Sequence, residues 1–107
     1  MMPHLDVDQL KTFLAISDSG SFTRAADEVN KTQSAVSMQM KRLEEQLGRP
    51  LFSKDGRGTK FTRDGERLID YARRIVALSD EAVSAFTKPD ITGTVRFGTP
   101  DDYAEFF

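Results

Sequence analysis

The sequence predicts a mainly α fold, in which three short helices and a small β-hairpin are followed by one long helix. Apolar residues repeat three to four positions apart between residues 7 and 47, which is helical spacing. Two short apolar segments, Leu51-Phe52 and Lys60-Phe61, flank a polar, glycine-rich tip and indicate a hairpin. Residues 63–88 then carry one uninterrupted amphipathic pattern, which predicts the long helix.

Length and composition restrict the class of protein. The 107 residues, 38% of them apolar, suit one globular domain or a small domain with an appendage. The sequence has no run of about 18 apolar residues and no N-terminal secretion signal, so a cytoplasmic protein is expected. The absence of cysteine excludes disulfides and thiolate zinc sites. The single histidine, His4, cannot build a metal site or a catalytic triad alone.

The charge distribution is uneven along the chain. The net charge is −2, but residues 21–62 carry eight basic and five acidic side chains, a local excess of +3. Such a local excess is what an electrostatic footprint on nucleic acid requires, although its size is modest.

The first two helices have clear start and stop signals. Asp6 or Asp8 can cap the first helix and Gly20 can end it, while Ser21 can cap the second. Apolar spacing marks both helices: Leu10, Phe13 and Leu14 in the first, and Phe22, Ala25, Ala26 and Val29 in the second. Asn30 tolerates a left-handed backbone and Thr32 is a strong cap for a third helix. Two helices joined by about three residues form a helix-turn-helix.

The third helix has two distinct sides. Its apolar stripe is Val36, Met40, Leu43 and Leu47. The opposite side presents Ser34, Ser37, Met38 and Lys41, with Gln33 and Arg42 at its edges. Short hydroxyl and amide side chains keep this helix slim enough for a major groove of about 12 Å and offer donors and acceptors to base edges. A plain solvated face is the alternative interpretation.

The hairpin tip carries a long cation on a narrow loop. Gly56 and Gly58 bracket Arg57, with Lys54 and Lys60 nearby. Such a tip suits insertion into a minor groove, where A·T-rich segments concentrate negative potential. The alternative is an ordinary exposed arginine in a turn.

Many of these positions together resemble a known family. The matching residues are Phe13-Leu14, Gly20-Ser21-Phe22-Thr23-Arg24-Ala25-Ala26, Thr32-Gln33-Ser34-Ala35-Val36-Ser37, Arg42-Leu43-Glu44, Leu47-Gly48, Leu51-Phe52, Thr62 and Gly65. In this order they are similar to the N-terminal domain of LysR-type transcriptional regulators, over residues 5–88. The resemblance implies a winged helix-turn-helix that recognises double-stranded DNA as a dimer, with a ligand-sensing domain beyond it.

The resemblance also implies which residues contact DNA. Thr32 would meet a phosphate and Arg57 would be the wing residue. Arg42, at the edge of the polar side of the third helix, and Lys54, next to the hairpin tip, are added to the expected set from their positions in the sequence. The third helix would contact DNA through Gln33, Ser34, Ser37, Met38 and Lys41. Similar family members often have arginine at the position of Met38. Because a thioether cannot donate to guanine, an apolar contact, such as one to a thymine methyl, is expected there.

The long helix carries an apolar stripe that calls for a partner. About 24 residues at 1.5 Å each give a rod of roughly 36 Å, which Thr62 can cap. Its expected dimer contacts are Leu68, Ala72, Ile75, Ser79, Ala82, Val83 and Phe86, with Ile69 and Val76 broadening the stripe. Packing on the first helix is the alternative for part of this stripe. The resemblance implies an antiparallel homodimer, with a tetramer as a further expectation for the full-length protein, and hence an inverted-repeat operator.

Three segments are therefore expected. Residues 1–62 form the winged helix-turn-helix DNA-binding domain and 63–88 the linker and dimerisation helix. Residues 89–107, predicted as one strand and a capped helix start, resemble the truncated start of the family's effector-binding domain and are expected to be disordered or to pack against a neighbour. No cofactor is expected in this fragment, and the resemblance implies a small-molecule effector for the full-length protein.

Other function classes fit less well. The serines of the third helix have no histidine or lysine base arranged with them, so an enzyme is not expected. RNA binding would need an aromatic stacking platform, and most of the eight phenylalanines fall on core stripes or in the tail. The main alternative is a dimeric protein-interaction module without DNA readout, in which the long helix is the working surface.

Overall fold

The computed structural model describes residues 4–54 and 59–87. The described residues contain four helices: α1 (Val7–Ser19), α2 (Phe22–Glu28), α3 (Gln33–Leu47) and α4 (Arg63–Thr87). The mainly α prediction is thus confirmed. The predictions for Arg57 and for residues 89–107 lie outside the described residues. Within the described residues, no helix is both long and apolar enough to span a membrane.

The chain divides into two units by its packing, Met1–Ala77 and Leu78–Phe107. The described part of the second unit is residues 78–87, the end of α4. In the first unit, apolar side chains from all four helices and from the segment after α3 form one core. Its most deeply buried members are Leu10, Phe13, Ile16, Ala25, Val36, Met40, Leu43, Leu51 and Ala72.

The predicted caps of α1 are present. The Asp6 side chain accepts a hydrogen bond of 2.8 Å from the backbone N–H of Asp8, so Asp6 is the N-cap. At the other end, Gly20 adopts φ 75° and its N–H donates to the Ile16 carbonyl at 2.8 Å. Glycine enters this left-handed conformation without the steric penalty of a side chain, and α1 ends there.

The helix-turn-helix follows the sequence prediction closely. Ser21 caps α2 by accepting from the N–H of Arg24 at 3.2 Å, and Thr32 caps α3 by accepting from the N–H of Ala35 at 3.0 Å. Asn30, between them, has φ 57°. This left-handed residue reverses the chain direction within a short turn and allows α3 to pack across α1 and α2.

The hairpin is minimal in its described part. One antiparallel bridge pairs Phe52 with Phe61, and the N–H of Ser53 donates to the Lys60 carbonyl at 2.9 Å. The predicted pairing of the two segments is therefore confirmed at the hairpin base, although the described residues form a bridge rather than regular strands. The tip, residues 55–58, lies outside the described residues.

Four phenylalanines hold the hairpin base against the helices. Phe13 of α1 contacts both hairpin rings, with centroids 5.8 Å from Phe52 and 5.4 Å from Phe61. Phe22 of α2 lies 5.1 Å from Phe52, and the two hairpin rings are 5.1 Å apart. Edge-to-face and tilted arrangements at these distances add to the stabilisation from burial. The base of the hairpin, which is the predicted wing, is therefore fixed to the helix-turn-helix.

The start of α4 is built into the same domain. The Thr62 hydroxyl accepts from the N–H of Gly65 at 3.0 Å and donates to the Pro50 carbonyl at 2.7 Å, which confirms Thr62 as a cap. Leu68 is 7% exposed and Ala72 is 0% exposed. The prediction that these two residues face a partner chain is therefore corrected, because the core of their own domain covers both side chains.

Candidate nucleic-acid interface

The two sides of α3 differ as its sequence pattern predicts. Val36, Met40 and Leu43 are at most 2% exposed and fix the helix on the core. The outward side chains are all exposed, with Met38 at 61%. They are Gln33, Ser34, Ser37, Met38, Lys41 and Arg42. The structure therefore brings the predicted α3 contacts together on one surface, which we call the α3 outer face.

Thr32 lies at the beginning of this face. Its exposed side chain caps α3, and its hydroxyl oxygen is 3.3 Å from that of Ser34. The first turn of α3 carries no acidic residue. The positive end of the helix dipole is therefore not neutralised by a carboxylate of that turn, which favours an anion such as a phosphate at this position.

The first acidic residue of α3, Glu44, points to the hairpin. Its Oε2 atom accepts hydrogen bonds from the backbone N–H groups of Leu51, at 2.7 Å, and Phe52, at 3.3 Å. This carboxylate connects the last turn of α3 to the first segment of the wing. No local sequence pattern indicates this contact, because the backbone groups that Glu44 binds are seven and eight residues away.

A second carboxylate joins α1 to α3 and to the turn before it. Asp8 accepts a hydrogen bond of 2.8 Å from Nε2 of Gln39 and pairs with Nζ of Lys31 at 3.1 Å. The hydrogen bond from Lys31, followed by the one from Gln39, lowers the pKa of Asp8 below its ordinary value. Sequence reasoning considered Asp8 only as a helix cap and missed both contacts, since no local pattern links residues 8 and 39.

The wing residues are only partly described. Lys54 is exposed at the base of the hairpin. Arg57 lies outside the described residues, so its predicted role stays a prediction. The hairpin base itself is anchored by the four phenylalanine rings and by Glu44.

The later part of α4 leaves apolar side chains in solvent. Phe86 is 89% exposed and Val83 is 58% exposed. Ala82 is exposed as well, while Ile75 and Ser79 are half-buried. Sequence reasoning missed Leu78, which is 64% exposed, because it lies outside the heptad stripe. Of the seven predicted dimer residues, all except Leu68 and Ala72 therefore keep solvent-exposed surface that a partner chain could cover.

Comparison with known proteins shows the family. Residues 7–66 match the model of the bacterial regulatory helix-turn-helix proteins of the lysR family. The chain belongs to the LysR family. Similar proteins include the HTH-type transcriptional regulator DgdR of Burkholderia cepacia, 48% identical over 96% of this chain and 35% of that protein. The regulator PecT of Dickeya dadantii is 44% identical over 95% of this chain and 32% of that protein. The chain thus spans about a third of the length of these two relatives.

Solved LysR-family structures have the same fold. The BenM DBD in complex with benA site 1 DNA superposes with a TM-score of 0.71 at 33% identity, covering 76% of this chain and 94% of that one. The CbnR DBD in complex with DNA gives 0.71 at 31% identity, covering 76% and 93%. DarR of Vibrio fischeri, also in complex with DNA, gives 0.73 at 26% identity, covering 77% of this chain and 28% of that one.

Proposed function

We propose that this chain is the sequence-specific double-stranded DNA-binding domain of a LysR-type bacterial transcriptional regulator, with α3 in the major groove and the wing in the minor groove. The α3 outer face carries the proposal. It is exposed, formed by polar, thioether and cationic side chains, and lies opposite a stripe that fixes the helix on the core. The DNA complexes of BenM, CbnR and DarR, which share the fold, support it.

The chemistry of this face suits base reading. Gln33 offers an amide that can bond adenine in a bidentate manner, and Ser34 and Ser37 can donate to or accept from several base edges. Met38 offers an apolar surface to a thymine methyl. Residues 33–43 contain no acidic side chain, so no carboxylate of this stretch repels the phosphates. Lys41 and Arg42 supply the positive charge, and Thr32 lies where a phosphate is favoured.

We propose that the wing makes a second contact with the DNA. Its base is fixed to α1 and α2 by aromatic packing and to α3 by Glu44, so its position relative to α3 is set by the fold. Lys54 is exposed at this base, and Arg57 belongs by sequence to the tip. We propose that they enter or flank the minor groove, where arginine is favoured in narrow A·T-rich segments.

The exposed part of α4 supports a dimer. On pairing, side chains such as Val83 and Phe86 would be removed from contact with water. This burial stabilises the pair by about 25 cal/mol per Å² of apolar area. We propose an antiparallel α4 pair formed through Ile75, Ser79, Ala82, Val83 and Phe86. Two copies would present two α3 helices to successive major grooves of an inverted repeat. We further propose that the full-length protein has a small-molecule effector and a tetrameric state.

Selection and titration of DNA test the proposal. Duplexes would be selected from a random pool with the 107-residue chain, and affinity for the selected site and a scrambled version would be measured across a salt series. We expect a clear preference for the selected site and a linear fall of log affinity with log salt. If selection yields no enriched site while the chain still dimerises, the protein-interaction module, which the exposed α4 residues favour, would replace the DNA-binding proposal.

A further inference from the structure

We propose that Asp8 is a positioning residue for DNA recognition, which fixes the orientation of α3 through Gln39 and Lys31 without itself contacting bases. This inference rests on the proposed function and adds a specificity-determining residue outside the α3 outer face. The observation behind it is that the Asp8 carboxylate contacts two side chains: it lies 2.8 Å from Nε2 of Gln39 and 3.1 Å from Nζ of Lys31.

The location of Gln39 explains how Asp8 can act on α3. At about 100° per residue, Gln39 lies on the flank of α3, between the buried stripe around Met40 and the exposed Met38. A bond at the flank opposes rotation of the helix about its own axis. Apolar packing on the stripe is non-directional and leaves that rotation less restricted. Because base readout depends on hydrogen-bond geometry, a small rotation of α3 misaligns every side chain of its outer face.

The contact with Lys31 fixes a second point. Lys31 lies in the turn directly before the α3 cap, and its side chain is 27% exposed. Asp8 lies in the first turn of α1. One carboxylate therefore connects the beginning of α1, the turn, and the middle of α3. The lowered pKa of Asp8 agrees with this geometry, since its ionised form accepts both bonds at neutral pH.

Asp18 provides a matched control on the same helix. Its side chain is 56% exposed, against 57% for Asp8, and it also forms one ion pair, to Arg73 of α4 at 2.7 Å. No hydrogen bond or ion pair described for Asp18 reaches α3. A substitution at Asp18 therefore removes an equally exposed carboxylate and an ion pair of α1 without changing the contacts of α3.

The experiment compares Asp8→Ala, Asp8→Asn and Asp18→Ala in the 107-residue chain, measuring affinity for the selected site and for scrambled DNA. We expect Asp8→Ala to lower the ratio of the two affinities about tenfold, the size of one weakened base contact, with scrambled-DNA affinity unchanged. Asp8→Asn keeps an acceptor for Gln39 and should fall between wild type and Asp8→Ala. Asp18→Ala should keep the wild-type ratio.

Amide chemical shifts without DNA give an independent readout. Asp8→Ala should shift the amide signals of Ser37 and Met38 while the helical circular dichroism is retained, and Asp18→Ala should leave those signals in place. An unchanged affinity ratio in Asp8→Ala would overturn the inference. Equal gains in affinity for the selected and the scrambled DNA, with a steeper dependence of affinity on salt, would also overturn it. That result would mean that Asp8 acts only as a charge that repels DNA. A wild-type chain without site preference would instead overturn the proposed function, while the amide shifts would still test the positioning.

Discussion

The carboxylate of Glu44 lies 2.7 Å from the backbone nitrogen of Leu51 and accepts its hydrogen bond. Between these two residues, Gly48 ends α3 with φ 67°, which allows the chain to turn back toward the helix it has just left. Leu51 is 1% exposed, so its side chain anchors the beginning of the wing in the core while its N–H is satisfied by Glu44. The end of α3 and the start of the wing are thereby one structural feature.

Substitution of Glu44 should destabilise the domain. Glu44→Ala leaves the N–H groups of Leu51 and Phe52 without their carboxylate partner, and the expected loss is about 1–3 kcal/mol of unfolding free energy. Urea denaturation followed by circular dichroism measures it. Glu45→Ala, at the exposed neighbouring position, is the control and should change stability by no more than about 0.5 kcal/mol. Equal losses in both variants would contradict the role assigned to Glu44.

Gly65 should not tolerate a side chain, although it lies in a helix. A Cβ atom there would overlap the backbone carbonyl of Leu51 and come within 3.1 Å of the Phe61 ring. Elsewhere in a helix, glycine to alanine stabilises by roughly 0.5–1 kcal/mol. Gly65→Ala should instead destabilise by about 1–3 kcal/mol, as overpacking does. Thermal and urea unfolding give the sign of the change, and a stabilised variant would show that α4 starts farther from Leu51.

Removal of polar groups from the α3 outer face should reduce DNA discrimination. Ser37→Ala and Gln33→Ala are each expected to lower the preference for the selected site over scrambled DNA by about 1–3 kcal/mol per lost base contact. Both side chains are exposed, so the fold should be unaffected. Fluorescence anisotropy titrations on the two duplexes measure the preference. Equal losses on both would mean that these residues only position the protein on the phosphates.

Arg57 should matter most where the DNA next to the recognition site is rich in A·T pairs. A narrow minor groove concentrates negative potential and attracts an inserted arginine. We therefore expect Arg57→Ala to weaken binding more on A·T-rich flanks than on G·C-rich flanks. Titration of two duplexes that differ only in their flanks tests this. The same loss on both would make Arg57 an ordinary phosphate contact.

The exposed apolar residues of α4 should control the oligomeric state. Val83→Lys places a charge in the proposed antiparallel interface and should shift the chain toward the monomer, as measured by sedimentation velocity over a concentration series. Ala85→Lys, two residues along and about 200° around the helix, is the matched control and should leave the dimer intact. Circular dichroism should show the same helix content in both. A Val83→Lys variant that stays dimeric would place the interface elsewhere.

Local sequence signals determined the helices and their ends. Asp6, Ser21, Thr32 and Thr62 all cap helices, because capping depends on a side chain and a backbone N–H only two or three residues away. The polar and apolar sides of α3 could also be predicted from the sequence, since helical periodicity fixes which residues share a face. The family resemblance over residues 5–88 rested on such local motifs, and the family match to residues 7–66 confirms it.

Tertiary structure decided the contacts between residues that are distant in sequence. Nothing local distinguishes Leu68 and Ala72, which the core of their own domain covers, from Val83 and Phe86, which stay exposed on the same amphipathic helix. The Asp8 contact to Gln39 spans 31 residues. Periodicity assigns a residue to a face, but which neighbour covers that face depends on how the helices cross, and that arrangement exists only in the folded domain.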